Sequence, residues 1–279
     1  MKKIFGRIIK ALVWIVASVV ILLVAVALLI QIPSIQNRIT QKAVSFLEER
    51  IGTRVALGRI AIGFPKSIRL FDIYLEDRAG DTLVYAGRLS VDTDLFALTR
   101  KEIQLNTIEL ENTAGFVSRA ASDSAFNFSY IIDAFATDST AAPDTLEQES
   151  WKISLETLQL QDIRLRFDDS LMGNFASLSL GMFELDMRTF DLESSSFDVA
   201  ELVLENSRVT FRQTQRPSPD NETDAQQSED SVASPQFSLD QLSLKNVSFE
   251  YEQSATGVYY AADVGDFRIL ADKIDFTSQ

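Results

Sequence analysis

The sequence contains no cysteine and no histidine. Without cysteine there are no disulfides, no thiolate nucleophile and no thiolate metal site; an oxidising compartment permits disulfides without requiring them. Without histidine there is no imidazole for zinc, for a Ser-His-Asp relay or for proton shuttling near neutral pH. Bases are also scarce, with 26 Lys and Arg against 40 Asp and Glu and a net charge of −14. Four of the bases and none of the acids precede Pro33, so the remainder carries 22 bases against 40 acids, a net −18. A surface that acidic excludes nucleic acid as a partner. It also repels anionic head groups, so lipid contact is expected through apolar surface rather than a basic patch.

Uninterrupted apolar sequence is concentrated in Ala11 to Ile32, where the only polar side chains are Ser18 and Gln31. As a helix, the run reaches roughly 33 Å, against about 30 Å of hydrocarbon in a bilayer. A cleavable signal peptide has a shorter apolar core, and the small residues Ala25 and Ala27 lie inside this run with Leu28 to Ile30 still to come, so an uncleaved anchor is expected. Lys2, Lys3, Arg7 and Lys10 on its N-terminal flank keep residues 1–10 cytoplasmic and send the bulk outside, to the periplasm of a bacterium with a single-pass inner-membrane anchor.

After Pro33 the spacing of Ile35, Ile39, Ala43, Phe46, Leu47 and Ile51 predicts an amphipathic helix over 33–52, with Ser34 as candidate N-cap and Gly52 as stop. From Thr53 the period changes to two, as in Val55, Leu57, Ile60 and Ile62, and no helix is expected beyond it. Four segments superimpose without gaps: IQLNTIELENTAGFV from Ile103, ISLETLQLQDIRLRF from Ile153, FDVAELVLENSRVTF from Phe197 and FSLDQLSLKNVSFEY from Phe237. Their starts differ by 50, 44 and 40 residues. Each reads apolar-x-apolar, two residues, apolar-x-apolar, then Asn112, Asp162, Asn206 or Asn246. A weaker copy places Asp72 two residues after Leu70.

Two residues between apolar pairs flip the facing of a strict alternation, so a bulge or corner is expected there. The Asp or Asn suits a tight turn, because its side chain bonds nearby backbone and it tolerates a left-handed conformation. Each unit then reads as bent, paired strands followed by a second pair, such as DTLVYAGRLSVDTDL or NFASLSLGMFELDM. Some 15 strands at about 4.8 Å would extend roughly 70 Å. Two polar, acidic stretches, 133–150 and 213–236, interrupt the array and are expected to be disordered loops. The array over 53–279 also reads as cut short, ending soon after ADKIDF.

With no helix to cover it, such a sheet must close into a barrel or sandwich, or curl around something. A closed core makes a spacer or binding module; an open, curled sheet makes a lengthwise apolar trough suited to acyl chains. The charged cap, anchor and amphipathic helix, followed by RVALGRIAIGFPKSIRLFDIYLEDRAGDTLVYAGRLSVDTDLFAL and IQLNTIELEN, resemble the N-terminal part of the TamB branch of AsmA-like proteins. The resemblance covers nearly the whole chain and rests on apolar and turn residues, not on catalytic signatures.

It implies a mostly β protein: a transmembrane helix and a short amphipathic helix, then an elongated, curled, repeating β-groove, or β-taco. It further implies phospholipid transport between inner and outer membranes, or assembly and secretion of outer-membrane proteins. An outer-membrane β-barrel partner would be met through a C-terminal domain that this sequence lacks. The residues expected to line the groove are Ile103, Leu105, Ile108, Leu110, Ile153, Leu155, Leu158, Leu160, Phe197, Val199, Leu202, Leu204, Phe237, Leu239, Leu242 and Leu244. The competing reading is a scaffold that receives protein strands at its sheet edges by β-augmentation. No catalysis, metal or cofactor is expected: Asp92 with Asp94, and Asp168 and Asp169 beside Ser170, read as strand-end acids without a partner base. The sequons at Asn127, Asn221 and Asn246 occur at a rate chance produces.

Overall fold

A computed structural model describes residues 32–63, 67–94, 96–136, 151–192, 194–214 and 236–275. The anchor over 11–32, apart from Ile32, and most of the two acidic stretches lie outside these residues. Among those described, no helix is long and apolar enough to cross a membrane.

Helix α1 (Pro33–Ile51) is followed by β1 (Val55–Gly63), β2 (Ser67–Glu76), β3 (Thr82–Thr93) and β4 (Glu102–Arg119). A short helix α2 (Ser129–Phe135) precedes β5 (Lys152–Asp169), β6 (Asn174–Asp191), β7 (Ser196–Gln213), β8 (Gln236–Gln253) and β9 (Val258–Asp275). All nine strands form one curled, unclosed sheet, in sequence order. Neighbours are antiparallel except for β4 with β5 and β7 with β8, which are parallel. The long alternating strands follow from the period-two apolar pattern, and their number corrects the expected stack. Nine strands at about 4.8 Å span roughly 38 Å, about half the length expected from sequence.

The parallel pairs explain why the four copies superimpose. Ile103 lies beside Ile153 and Leu110 beside Leu160, and likewise Phe197 beside Phe237 and Leu204 beside Leu244. Parallel neighbours cannot be joined by a hairpin. The chain must therefore return the length of a strand between Arg119 and Lys152, and again between Gln213 and Gln236, which is where the acidic stretches fall. Their bounds also shift: Gln213 and Gln236 are strand residues, and Asp133 belongs to α2, a helix that sequence reasoning did not anticipate.

The repeat's Asp and Asn residues are not turns between strands. Asp72, Asn112, Asp162, Asn206 and Asn246 sit in mid-strand with φ of 52°, 50°, 53°, 50° and 52°. Each is skipped by the pairing register, as where Gln161 meets Met182 and Ile163 meets Leu180 on either side of Asp162 and Gly181. A left-handed residue of this kind interrupts the pairing for one position without adding a residue, and resets the facing of the next side chain. All five lie at the same height, on the strands that run one way. The strands that run the other way carry Gly58, Gly87, Gly181 and Gly265 at that height. The glycines are there for close approach: a Cβ on Gly87 or Gly181 would stand 3.0 or 2.8 Å from the Cβ of Asn112 or Asn206. These unpaired positions, aligned across the whole sheet, form a crease perpendicular to the strands.

A line of buried side chains follows that crease. Ala86, Thr113, Ile163, Leu180 and Ser207 are each within one residue of it and are all buried. A smaller core sits where the helices meet the first strands, with Ile51, Val55 and Tyr130 buried against Leu47, Leu75, Ile131 and Ala134. The Tyr130 hydroxyl donates to the Glu76 carbonyl at 2.6 Å. Ser34 does not cap α1, which begins with Pro33 in its first turn; Gly52, at φ 75°, ends it.

Candidate functional site

Apolar residues on alternate positions fall on one face once each left-handed residue has reset the phase. One row crosses all nine strands through Ile62, Ile68, Val91, Ile108, Leu158, Leu185, Leu202, Leu242 and Ile269. The next, nearer the crease, runs through Ile60, Leu70, Leu89, Leu110, Leu160, Phe183, Leu204, Leu244 and Phe267. Beyond the crease a third runs through Val55, Leu75, Val84, Gly115, Leu165, Leu178, Val209, Phe249 and Ala262.

Every residue expected from sequence to line a groove lies on β4, β5, β7 or β8, in register with its counterpart in the adjoining copy. Two of them are covered by their neighbours: Val199 is 0% exposed and Leu239 5%. The others remain half-buried, and Ile153 reaches 37%. Sequence reasoning missed the contribution of the strands between copies, which supply Leu185 and Phe183 from β6 and Ile269 and Phe267 from β9. Their signal is present as apolar-Gly-x-apolar, in Leu180-Gly181-Met182-Phe183 and again in Val264-Gly265-Asp266-Phe267.

The helices cover this apolar face at its β1–β2 end, where Val55 and Leu75 pack against them, and beyond that no second layer covers it among the described residues. Phe249 and Phe267 are each 45% exposed. At roughly 40 Å² for each half-buried side chain, the three rows leave on the order of 1,000 Å² of apolar surface in contact with solvent, more than the ~300–600 Å² of the largest patch on an ordinary monomer. At one rim, where β5 begins and β6 ends, a cavity of about 700 Å³ opens among Trp151, Ile153, Phe190 and Leu192.

The opposite face is polar and stapled by charge. Arg88 pairs with Glu111 and, at 3.7 Å, with Glu109. Arg188 pairs with Asp240 and, at 3.3 Å, with Asp198, and Lys245 stands 3.9 Å from Glu205. These pairs link neighbouring strands on the solvated side, where each contributes little to stability. The Arg119 guanidinium is different: it grips Asp169 with two hydrogen bonds of 2.9 and 2.5 Å at the end of the β4–β5 join, and Asp169 is buried. That grip holds the Asp169 carboxyl below the usual carboxylate range.

Three of the four acids singled out from sequence have structural partners, Asp169 being held by Arg119. Asp168 accepts from the Ser170 hydroxyl at 2.8 Å, and Asp94 accepts from the Phe96 backbone N–H at 2.9 Å. Among the described residues no three acids cluster in a way that could hold a metal ion. The geometry therefore defines a class of protein by its surface: a single-layer, creased β-sheet with one charged face and one uncovered apolar face. No family model and no curated protein matches the chain.

Proposed function

We propose that this chain is an inner-membrane-anchored bridge whose apolar face forms a trough for phospholipid acyl chains, carried through the periplasm between inner and outer membranes. The observation that supports this most directly is the continuity of the apolar rows, which pass from β1 to β9 without a polar interruption on a face that, beyond the helices at β1 and β2, has no second layer among the described residues. Moving about fifteen methylenes into water costs roughly 12 kcal/mol at about 0.8 per group, which makes simple desorption slow. A continuous trough removes that step. The charge-free run from Ala11 and the TamB-like pattern of the chain agree with this reading, and an acidic exterior keeps the trough from lying flat on anionic head groups.

Photo-crosslinkers placed at Leu158 and Leu202 in cells should capture phospholipid. If none is captured, the proposal fails. Leu158→Arg and Leu202→Asp should block lipid passage while expression and anchoring persist; loss of folding instead would point to a closed core. A scaffold that receives protein strands would instead give peptide-backbone crosslinks at strand edges with no lipid in the trough.

A further inference from the structure

Charge is spread unevenly along the chain. Helix α1 carries three bases, Arg38, Lys42 and Arg50, against two acids, Glu48 and Glu49, whereas residues 52–279 carry 19 bases against 38 acids. α1 follows directly on the charge-free run that ends at Ile32, with Pro33 in its first turn. One side of the helix lies along β1. There Ile60 N–H donates to Thr40 Oγ1 at 3.2 Å, Val55 N–H donates to Glu48 Oε1 at 3.1 Å, and Ile51 is buried against Val55 and Tyr130. Glu48 is thereby turned toward the sheet.

The other side faces away from the sheet. Arg38, Lys42, Phe46 and Arg50 follow one another at intervals of four, which sets them on one ridge of the helix, and all four are exposed. Phe46 is 60% exposed. The ridge continues onto α2, where the Arg50 guanidinium lies 5.9 Å from the centre of the Phe135 ring and Ile132 is also 60% exposed. Glu49 and Asp133 are the exposed acids of the two helices. None of the three bases forms an ion pair among the described residues. Bases whose stems lie along apolar surface while their heads reach phosphate, set beside exposed rings, suit a helix in the plane of a membrane interface. Elsewhere the chain is too acidic for such a contact.

We infer that the outer ridge of α1, with the exposed end of α2, rests on the head groups of the bilayer that the preceding apolar run enters. Arg38, Lys42 and Arg50 reach phosphates there, and Phe46, Ile132 and Phe135 sit at the boundary of head groups and acyl chains. Because α1 lies along β1, the first strand then runs parallel to the membrane and the other eight rise from it in strand order. This orientation deepens the bridge reading, and it rests on the anchor rather than on the trough.

The absence of cysteine suits the full chain to single-site spin labelling. In nanodiscs of phosphatidylcholine with phosphatidylglycerol, a nitroxide at Phe46→Cys should collide with oxygen more than with a water-soluble nickel chelate. One at Ser177→Cys, exposed on the polar face of β6, should do the opposite. Arg38→Gln with Lys42→Gln should shift the docked-to-undocked ratio at position 46 toward water about 30-fold, at roughly fivefold per base, and should do so only where the anionic lipid is present. An unchanged melting temperature separates that undocking from unfolding. A label at 46 as open to nickel as the one at 177, or a double substitution without effect in anionic discs, would overturn the inference. A chain that does not enter discs would overturn it together with the anchor. Failure to crosslink lipid at Leu158 and Leu202 while the label at 46 stays in lipid would strike the trough alone.

Discussion

A methyl group added at Gly181 should destabilise the sheet, while the same change at Gly265, on an equivalent strand at the same height, should not. A Cβ on Gly181 would stand 2.8 Å from both the Cβ and the carbonyl oxygen of Asn206 and 3.1 Å from the Glu205 carbonyl, whereas one on Gly265 would meet nothing within 4 Å. Carbon contacts prefer about 3.5–4.0 Å, so β7 must retreat by roughly 0.7 Å, and the obstacle is backbone rather than a side chain that can swing aside. Overpacking of that kind costs about 1–3 kcal/mol. Alanine recovers roughly 0.5–1 kcal/mol of the conformational entropy lost by glycine, leaving a net destabilisation of about 1–2 kcal/mol.

At about 2–4 °C per kcal/mol for a chain of this size, Gly181→Ala should melt some 2–8 °C lower, and Gly265→Ala should melt unchanged or slightly higher. Thermal unfolding of the full chain in detergent, followed by far-UV circular dichroism, measures both. Adding Asn206→Gly to Gly181→Ala removes one of the two contacts at 2.8 Å and leaves the carbonyl, so it should restore part of the loss. Equal shifts for the two alanine variants would refute the close-approach account of the crease.

Three further outcomes test other parts of the structure. Asn112→Val should destabilise by about 1–2 kcal/mol because of its positive φ, whereas Asn112→Gly should change stability by only a few tenths, as read by the same melts. Thr40→Val leaves the Ile60 N–H unsatisfied at about 1–3 kcal/mol, so hydrogen exchange at that amide should accelerate well before the rest of the sheet. Asp169 has a depressed carboxyl pKa owing chiefly to its hydrogen bonds with Arg119, so the stability it contributes is present above the usual carboxylate range and lost as pH falls through the depressed value. Acid titration of Asp169→Asn should accordingly show a lower plateau at neutral pH and a shallower acid limb; an unchanged acid limb would mean that the Arg119 grip does not exist in solution.

Much of the fold was legible because the sheet repeats its own chemistry. Leu110, Leu160, Leu204 and Leu244 keep the same distance from an Asp or Asn, and parallel neighbours in register need nothing more. The phase shift between Leu105 and Ile108 was visible as two extra residues, and the structure places a register skip there. The role of Asn112 and its counterparts was read halfway: their positive φ was foreseen, but a turn was expected where the strand runs on. Local propensity does not distinguish a left-handed break within a strand from a turn, because both ask the backbone for the same left-handed residue. The distinction depends on whether a neighbouring strand continues past it, and here Gly87 and Gly181 let one do so.

By itself, then, the sequence determined the alternation, the repeat, the amphipathic first helix and the absence of thiol and imidazole chemistry, all of which are properties of residues and their spacing. Tertiary structure alone decided that the five left-handed residues line up into one crease, that α1 lies along β1 and that β4 with β5 and β7 with β8 run parallel. Those depend on which strands lie side by side, and strand order is set by pairing between residues 40 to 50 positions apart, as Ile103 with Ile153 and Phe197 with Phe237, rather than by any local preference.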